Sequence, residues 1–159
     1  MIELCPIGVV HVDVEDDDLQ RKGSVEGVIE IYDEFKEGLH LLEGFSHLIL
    51  LTFLNKVDAE ARKVLKVRFR RLQQSGVPVE LLPEVGVFAS DSPHRPNPIG
   101  LTIVRVTEIK CKAIYVSGLD VYDGTPVLDI KPYTPFRRIE VIEVPEWFSK
   151  IASYVKREP

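Results

Sequence analysis

Short segments in which polar and apolar residues alternate recur along this 159-residue chain. A period of two places successive side chains on opposite faces of an extended strand, so each segment predicts a β-strand. Turn signals such as Asp123-Gly124 separate several of them. A set of about seven or eight such strands predicts an antiparallel-rich sheet closed or nearly closed into a small barrel. The predicted strands cover residues 4–14, 25–31, 46–54, 85–89, 102–107, 113–119 and 139–144.

Helical signals are weaker, so the predicted fold class is mainly β, with short helices and a C-terminal helix. Pro145 suits the first turn of a helix over residues 145–157, in which Phe148, Ile151, Ala152 and Val155 share one face. Residues 58–74 fit both a helical stripe and an edge strand. For residues 58–74 we favour a short helix at 58–62 followed by a strand. In the predicted strand at 25–31, Gly27 predicts a β-bulge.

The length of the chain favours one domain over residues 1–159, with its motifs between about 7 and 135. Apolar residues make up 45% of the chain and charged residues 28%, which excludes a disordered chain. The formal net charge of −5 argues against a general polyanion binder, so we expect no DNA partner.

Signals for export and for membrane insertion are weak in this sequence. The first residues carry no basic region followed by a long apolar stretch, so we expect no secretory signal. The longest apolar run covers residues 48–54, far fewer than the roughly 20 residues that a membrane span needs. We therefore expect a cytoplasmic protein without membrane contact, in which Cys5 and Cys111 are reduced thiols in the core.

The motifs of several common enzyme classes are missing. No Gly-rich phosphate loop follows a strand, which excludes the P-loop and dinucleotide fingerprints. The four histidines and two cysteines lack the spacing of metal ligands, so no metal site is expected. No elbow motif supports a serine nucleophile.

A proline-rich segment covers residues 90–100. Three prolines in six residues fix the backbone before and after them, so this loop presents its side chains at little entropic cost. Such a loop favours a binding site made of Ser92, His94, Arg95 and Asn97. The alternative is a rigid turn in which the histidine and arginine only cap nearby carbonyl groups.

A second polar segment covers residues 120–133. It contains three carboxylates, one lysine and two tyrosines among buried apolar residues, and this density is costly unless the polar groups are paired or bind a ligand. The alternative to a ligand site is an internal pair of Asp129 with Lys131 and a buried tyrosine hydroxyl.

A cluster of basic residues lies in the sequence after the N-terminal strands and before the proline-rich segment. Six cations fall within ten residues, which is dense enough to hold RNA despite the acidic balance of the chain. The alternative is an ordinary solvated face. Trp147 and Phe148 favour core packing or a dimer contact over base stacking. The six cations are Arg62, Lys63, Lys66, Arg68, Arg70 and Arg71.

Together these motifs resemble the signature of the TsaA-like family, the TrmO-type tRNA N6-methyltransferases. The resemblance rests on Pro6-Ile7-Gly8-Val9, Gly44-Phe45-Ser46-His47, Gly86-Val87-Phe88-Ala89, the proline-rich run from Ser92 to Leu101, and the run Asp123-Gly124-Thr125-Pro126-Val127-Leu128-Asp129-Ile130-Lys131-Pro132-Tyr133. It spans residues 7–135. It departs from the family at Asp91, where members generally have arginine, and longer bacterial members carry an additional C-terminal domain.

The resemblance implies a small β-barrel that forms a homodimer and binds S-adenosylmethionine. It implies methylation of N6 of threonylcarbamoyl-adenosine at position 37, in the anticodon loop of tRNA. The chemistry needs a proton acceptor, for which His94, Asp129 and Tyr133 are all candidates. The implied cofactor residues are Ser92, His94, Arg95, Asn97, Thr125, Leu128, Asp129 and Lys131, and the implied RNA contacts are Lys66, Arg68, Arg70 and Arg71.

Two other functions remain open from the sequence. One is a non-enzymatic module that binds S-adenosylmethionine or a nucleotide as a sensor. The other is a methyltransferase for a small molecule, which is weaker because neither polar segment provides an apolar acceptor pocket.

Overall fold

The computed structural model describes residues 2–69, 72–73 and 76–155, which divide into two compact units. The barrel unit contains the chain up to Asp58 together with Asn97–Arg137. The second unit contains Ala59–Pro96 and the chain from Arg138 onward. The single domain over residues 1–159 stays a prediction.

Six strands of the barrel unit form a closed antiparallel barrel, which confirms the predicted fold class. Going round it, the order is first, second, seventh, sixth, third and eighth strand, and the eighth pairs back with the first. The fourth and fifth strands form a separate antiparallel pair in the second unit. The strands are β1 Gly8–His11, β2 Val25–Ile31, β3 His47–Phe53, β4 Lys66–Arg68, β5 Glu84–Gly86, β6 Ile99–Lys110, β7 Ala113–Leu119 and β8 Pro126–Pro132.

The apolar core of the barrel unit follows the alternation in its strands. Along β3, Leu48, Leu50 and Thr52 are fully buried, while the residues between them point outward. Each strand therefore contributes one face to the interior, as the period of two requires. The buried core cluster consists of Val10, Val12, Ile29, Ile31, Leu48, Leu50, Val104, Ile114, Val116, Leu119, Val121 and Val127.

One end of the barrel is crossed by the connection between β7 and β8. These strands are not neighbours in the sheet, so residues 120–125 pass over the end of β1. The amide of Gly124 donates to the Val10 carbonyl at 2.9 Å, and the Val12 amide donates to Asp123 Oδ1 at 3.1 Å. Val121 is buried in the core. We call this the crossed end, where β6 starts and β3 ends.

The short helices are only partly those that the sequence predicts. A helix, α1, covers Asp16–Lys22 and was not predicted. The helix expected at 58–62 is a 3₁₀ turn at Ala61–Lys63, and the strand expected after it is β4. The C-terminal helix, α2, covers Glu146–Ala152, and residues 156–157 of its prediction lie outside the described residues. Further 3₁₀ turns cover Asp33–Leu39, Val79–Leu81, Val87–Ala89 and Pro135–Arg137.

Several predicted strands are wrong or too long. Residues 139–144 form no strand in the described structure, since alternation alone does not supply a neighbouring strand to pair with. Of the residues predicted as a strand at 4–14, only Gly8–His11 form one. The one predicted at 85–89 changes into a 3₁₀ turn at Val87. The bulge predicted at Gly27 of β2 lies instead on the neighbouring strand β7, at Gly118, which has a φ of 91°.

Gly27 is a glycine for a different reason than a bulge. A Cβ built there would lie 2.4 Å from the His11 carbonyl oxygen. No side chain fits such a close approach of β1 to β2.

The two cysteines are free, but the prediction that they lie in the core is wrong. Both are exposed. Cys5 precedes β1, and Cys111 occupies the tight turn from β6 to β7 with a φ of 52°. Residues of such turns point away from the sheet and are therefore solvated.

Candidate functional site

The proline-rich segment is held by its own side chains in the second unit. The Arg95 guanidinium donates from Nη2 to the Val87 carbonyl at 2.6 Å and to the Ser90 carbonyl. Ser90 Oγ donates to the same Val87 carbonyl at 3.1 Å and accepts from the Ser92 amide at 3.3 Å. Proline and these bonds together make the loop rigid.

Arg95 therefore caps nearby carbonyl groups, as the alternative interpretation of this loop as a rigid turn predicts. It caps the carbonyl groups at the end of the Val87–Ala89 turn, and its Nε is buried without a hydrogen-bond partner among the described residues. Ser92 Oγ accepts from the His94 amide at 3.3 Å, and the His94 side chain is exposed. In this loop His94 is thus available to a ligand, whereas the Arg95 Nη2 group is engaged.

Asn97 lies in the barrel unit, directly before β6. Its carbonyl accepts from the Ile99 amide at 2.8 Å, and the carbonyl of the buried Pro98 accepts from Leu54 at 2.8 Å. The Asn97 side chain is exposed at the crossed end. Thr125 lies at the same end, nearly fully buried, and its hydroxyl donates to the Tyr122 carbonyl at 2.7 Å.

Asp129 and Lys131 lie on the outer surface of the barrel. They are in register with Leu51 and Ile49 of β3, which point away from the core. Lys131 Nζ lies 2.6 Å from Asp129 Oδ2, and both side chains are nearly half exposed. The internal pair that the sequence offered as an alternative is therefore present, in a position that a ligand can reach.

A β-bulge precedes this pair. Leu51 faces Asp129 while Thr52 faces Val127, so Leu128 is the additional residue on β8. A bulge changes the direction of the strand and leaves the backbone of the extra residue outside the regular ladder. Leu128 is thus the bulged residue of β8, directly beside Asp129.

Tyr133 lies far from Thr125. They stand at opposite ends of β8, and at a rise near 3.3 Å per residue they are about 25 Å apart along the strand. The Tyr133 amide donates to the His47 carbonyl at 3.0 Å. The two residues cannot contact the same small group of a ligand.

Four contacts that sequence reasoning missed support the crossed end. Thr102 Oγ1 donates to Asp120 Oδ1 at 2.5 Å, which fixes the start of the crossing segment. The Tyr122 hydroxyl accepts from Gln20 of α1 at 2.7 Å, and Lys56 Nζ lies 4.5 Å from the centre of the Tyr122 ring. His11 Nε2 lies 3.0 Å from Glu30 Oε2. None of these carries a local sequence motif, so only the fold brings them together.

Charge on the outer face of β1 and β2 is organised around Glu30. A hydrogen bond with His11 and the ammonium group of Lys112, 3.2 Å away, hold the pKa of the Glu30 carboxyl below its ordinary value of 4.5. Lys112 also lies 3.4 Å from Asp33, and Glu30 together with Asp33 raises the pKa of Lys112. His11 Nδ1 reaches Asp123 at 3.8 Å, so this network extends to the crossing segment.

The predicted RNA cluster is partly neutralised. Lys66 and Arg68 project from β4, where Glu84 of β5 lies 3.8 Å and 4.0 Å from their nitrogen atoms. Lys63 pairs with Glu60 at 2.5 Å. Arg70 and Arg71 lie outside the described residues.

Trp147 confirms the prediction of core packing. It packs against Val77, Leu82 and Ile151 in the small core of the second unit, with its ring 5.9 Å from that of Phe69.

Two cavities lie apart from the predicted cofactor residues. One of about 800 Å³ is lined by the Asp33–Leu39 turn, His40, Glu43, Cys111 and Lys112. Another of about 380 Å³ lies between Arg68, Gln73, Val79 and Leu82. In the part of the chain that is described, no three His, Cys, Asp or Glu side chains are arranged to hold a metal ion. Among the same residues no helix is long and apolar enough to cross a bilayer.

The sequence of this chain matches the model of the tRNA-methyltransferase O N-terminal domain over residues 18–137. The chain belongs to this family. The match covers all strands of the barrel unit except β1, together with the whole proline-rich segment. The predicted membership of the TrmO-type family is confirmed.

Relatives within the tRNA-methyltransferase O family differ in length. A probable S-adenosyl-L-methionine-binding protein of Pyrococcus abyssi is 38% identical over 143 residues, which is 85% of this chain and 70% of that protein. A tRNA (adenine(37)-N6)-methyltransferase of Mus musculus is 41% identical over 103 residues, 65% of this chain and 22% of that protein. The crystal structure of TrmO from Pseudomonas aeruginosa superposes with a TM-score of 0.66 at 28% identity, covering 94% of this chain and 63% of that one. The chain thus spans less than two thirds of the TrmO chain.

Proposed function

We propose that this chain is an S-adenosylmethionine-dependent tRNA methyltransferase that acts on N6 of threonylcarbamoyl-adenosine at position 37. The observation that carries the proposal is the family match over residues 18–137, which includes both polar segments. The names of the mouse and Pyrococcus abyssi relatives support the reaction and the cofactor. The modified base, its position and the anticodon loop come from the resemblance of the motifs.

The Asp129–Lys131 pair fits the zwitterionic amino-acid end of the cofactor. A carboxylate and an ammonium group 2.6 Å apart offer one partner to a positive group and one to a negative group. Bound S-adenosylmethionine supplies a methyl group already activated by its positive sulfur. Lys131 would hold the carboxylate and Asp129 the amino group. Leu128 and Thr125 remain the candidates for the adenine end, although the backbone amide and carbonyl of Thr125 are bonded to Tyr122 and Val10.

The residues of the chain then have two tasks. The first is placement of the acceptor nitrogen in line with the methyl group, which by proximity alone lowers a barrier by roughly 7–11 kcal/mol. The second is acceptance of the proton that N6 loses, for which His94, Asp129 and Tyr133 remain candidates. His94 is exposed in a rigid loop, and Asp129 already pairs with Lys131.

Binding of tRNA is assigned to the second unit. Lys66 and Arg68 lie exposed on β4, and Arg70 and Arg71 follow in sequence. An unpaired base of a tRNA loop can leave its stack at low cost, so no duplex has to be melted. A homodimer stays a prediction from the resemblance, and a cytoplasmic location stays a prediction from the missing export signal.

The test is nucleoside analysis of tRNA that carries threonylcarbamoyl-adenosine but lacks the methyl group. Incubation with the full chain and S-adenosylmethionine should add one methyl group to that nucleoside, as mass spectrometry detects. The Asp129→Asn and Lys131→Met variants should lose the product, whereas Lys110→Met should keep it.

A second candidate function is a sensor that binds S-adenosylmethionine without turnover. It is favoured by the Pyrococcus abyssi relative, which is named for binding alone. Calorimetric binding of the cofactor without any methylated nucleoside, across all tRNAs offered, would support the sensor and overturn the enzyme.

A further inference from the structure

Phe88 is an exposed aromatic residue on a short turn of the second unit. It is the middle residue of the 3₁₀ turn Val87–Ala89, and it is 84% exposed. In the described part of the chain no other aromatic ring packs against it. Single exposed apolar residues are common on protein surfaces, so exposure alone indicates nothing. The meaning of this ring depends on how its turn is held and on what surrounds it.

The backbone of this turn is fixed on both sides of the ring. The Val87 carbonyl accepts from Arg95 at 2.6 Å, and the Ser90 carbonyl accepts from the same guanidinium. The Val87 amide donates to the Leu65 carbonyl at 3.0 Å, which joins the turn to the chain just before β4. The Val87 side chain is buried. A ring held on such a backbone loses little freedom when a partner covers it.

The residues next to Phe88 leave its ring accessible. A Cβ built at Gly86 would meet no atom closer than the Leu65 carbonyl oxygen, 3.9 Å away. Ala89, on the other side, is exposed and carries only a methyl group. A flat group can therefore approach the face of the ring.

The charge beside the ring is positive. Lys66 of β4 is in register with Gly86 of β5, so it lies across the small sheet from the start of the turn. Arg68 and Glu84 form the next pair on the same face, because every second residue of a strand points to the same side. The Glu84 oxygens lie 3.8 Å and 4.0 Å from the nitrogen atoms of Lys66 and Arg68, too far for hydrogen bonds. Two cations and one carboxylate leave a positive excess on this face.

We propose that Phe88 is a stacking platform for an unpaired base of the tRNA loop, whose phosphates lie beside Lys66 and Arg68. A nucleotide combines an apolar π-face with a phosphate, and this surface places an aromatic ring next to cations. An apolar peptide would cover the ring but leave the two cations unused. The proposal rests on tRNA as the substrate of the proposed function, and it assigns a contact to a base where the cations can contact only phosphates.

The stacked base has a fixed place relative to the candidate proton acceptor. His94 directly precedes Arg95, and the Arg95 guanidinium holds the turn that carries Phe88. The ring and the histidine are thus mounted on one rigid segment. A base on Phe88 positions the rest of the RNA loop with respect to His94.

The test is binding of an anticodon stem-loop that carries threonylcarbamoyl-adenosine to the full chain, without cofactor, by fluorescence anisotropy. Phe88→Ala should weaken binding about 5-fold to 100-fold, the usual loss of one base–aromatic stack. Phe88→Leu should lose most of this affinity as well, because it keeps apolar surface but no ring. Phe88→Trp should retain or raise the affinity.

The matched control is Phe136→Ala. Phe136 is 99% exposed in the barrel unit, and its replacement should leave the affinity unchanged. The slope of log affinity against log salt should be the same for Phe88→Ala and the native chain, since a ring neutralises no phosphate. A changed slope would mean that the substitution had displaced the cations of β4, and it would overturn the stacking role. Urea unfolding confirms that the variants are equally stable.

A second measurement does not depend on affinity. The native chain has one tryptophan, Trp147, which gives the background emission. In Phe88→Trp the additional indole should be quenched when the stem-loop is added, whereas the additional indole of Phe136→Trp should not. Equal quenching in both variants, or none in either, would overturn the proposal.

The outcomes separate this proposal from the proposed function. If Phe88→Ala or Phe88→Leu binds the stem-loop like the native chain, the stacking role is overturned even if tRNA is methylated, and the exposed ring is left to a protein partner. If the variants behave as expected but no methyl group is transferred, the enzyme is overturned and the stacking role stands. A native chain without affinity for the stem-loop overturns both.

Discussion

Asp129 and Lys131 form an ion pair on an open surface of the barrel. An exposed pair of this kind adds little to folding, because solvent screens it and ordering two side chains costs entropy. In the proposed function, the pair offers two opposite charges side by side to the cofactor. The same two residues lie next to the bulge at Leu128, so a rigid backbone holds them.

Lys131→Met should weaken binding of S-adenosylmethionine about 10-fold to 100-fold without changing the stability of the fold. The expected loss follows from one charge-assisted hydrogen bond, roughly 1.5–3 kcal/mol. Isothermal calorimetry measures it. Lys110→Met is the control, because Lys110 pairs with Glu108 near the turn into β7. Equal affinity of the Lys131 variant and the native chain would refute the assignment.

Gly100→Ala should destabilise the barrel by about 1–3 kcal/mol, the usual cost of forcing an extra carbon into a filled core. A Cβ at this position would lie 2.5 Å from the hydroxyl of the fully buried Thr52 and 3.0 Å from Leu54 Cδ2. Urea unfolding measures the loss. Gly38→Ala, where a Cβ meets nothing within 4 Å, should leave stability unchanged or slightly raised.

At the scale of elements, α1 shows a signal that sequence reasoning overlooked. Three aspartates fill its first turn, Arg21 and Lys22 its last, and Gly23 follows with a φ of 80°. Negative charge at the N-terminus, positive charge at the C-terminus and a terminal glycine are the ordinary marks of a helix. Its seven residues bury only Leu19, so hydrophobic periodicity could not reveal it.

The prediction for residues 139–144 shows the opposite error, a strand where the described structure has none. Residues 139–144 alternate as a strand does, yet the described structure contains no strand there. Alternation reports that an extended segment would have two different faces. It does not report whether a neighbouring strand is present, which is a property of the fold or of the assembly.

The network across β1 and β2 predicts a pH dependence. The folded protein lowers the pKa of Glu30 by the hydrogen bond from His11 and the charge of Lys112. The stabilisation is therefore complete above the ordinary value of 4.5 and is lost as the pH falls below it. Glu30→Gln should make urea unfolding less sensitive to acid in that window.

The control for this prediction lies on the same strand. Glu26 is exposed on β2, and Glu26→Gln should retain the acid sensitivity of the native chain. The same loss of sensitivity in both variants would show that total charge, and not the contact with His11, is responsible.

At the scale of the whole molecule, the proposed function requires an acidic protein to hold an acidic substrate. The net charge of −5 repels RNA, so the exposed cations of β4 have to act locally. Glu84 lies beside both of them and reduces their effect. Salt dependence distinguishes such a local contact from general attraction.

Lys66→Glu combined with Arg68→Glu should weaken tRNA binding and lower the slope of log affinity against log salt by about 1 to 2. Glu84→Gln should have the opposite effect on affinity, since it removes the neighbouring negative charge. Fluorescence anisotropy over a salt series measures both. Lys22→Glu together with Lys110→Glu, in the barrel unit, is the control. An unchanged slope in the β4 variant would place the RNA elsewhere.

The sequence by itself determined the barrel and the family. Alternation at period two decides which face of each strand is buried, and the two polar segments are specific enough to indicate the family that the comparison confirms. It also offered the pair of Asp129 with Lys131 and the capping by Arg95, because both join residues close in the chain.

Only the tertiary structure decided which side chains meet from distant parts of the chain. The contacts of Thr102 with Asp120, Gln20 with Tyr122 and His11 with Glu30 depend on strand order and register. So does the separation of Thr125 from Tyr133 along β8. Closure of the sheet fixes these relations, and local residue patterns carry no information about which strands become neighbours.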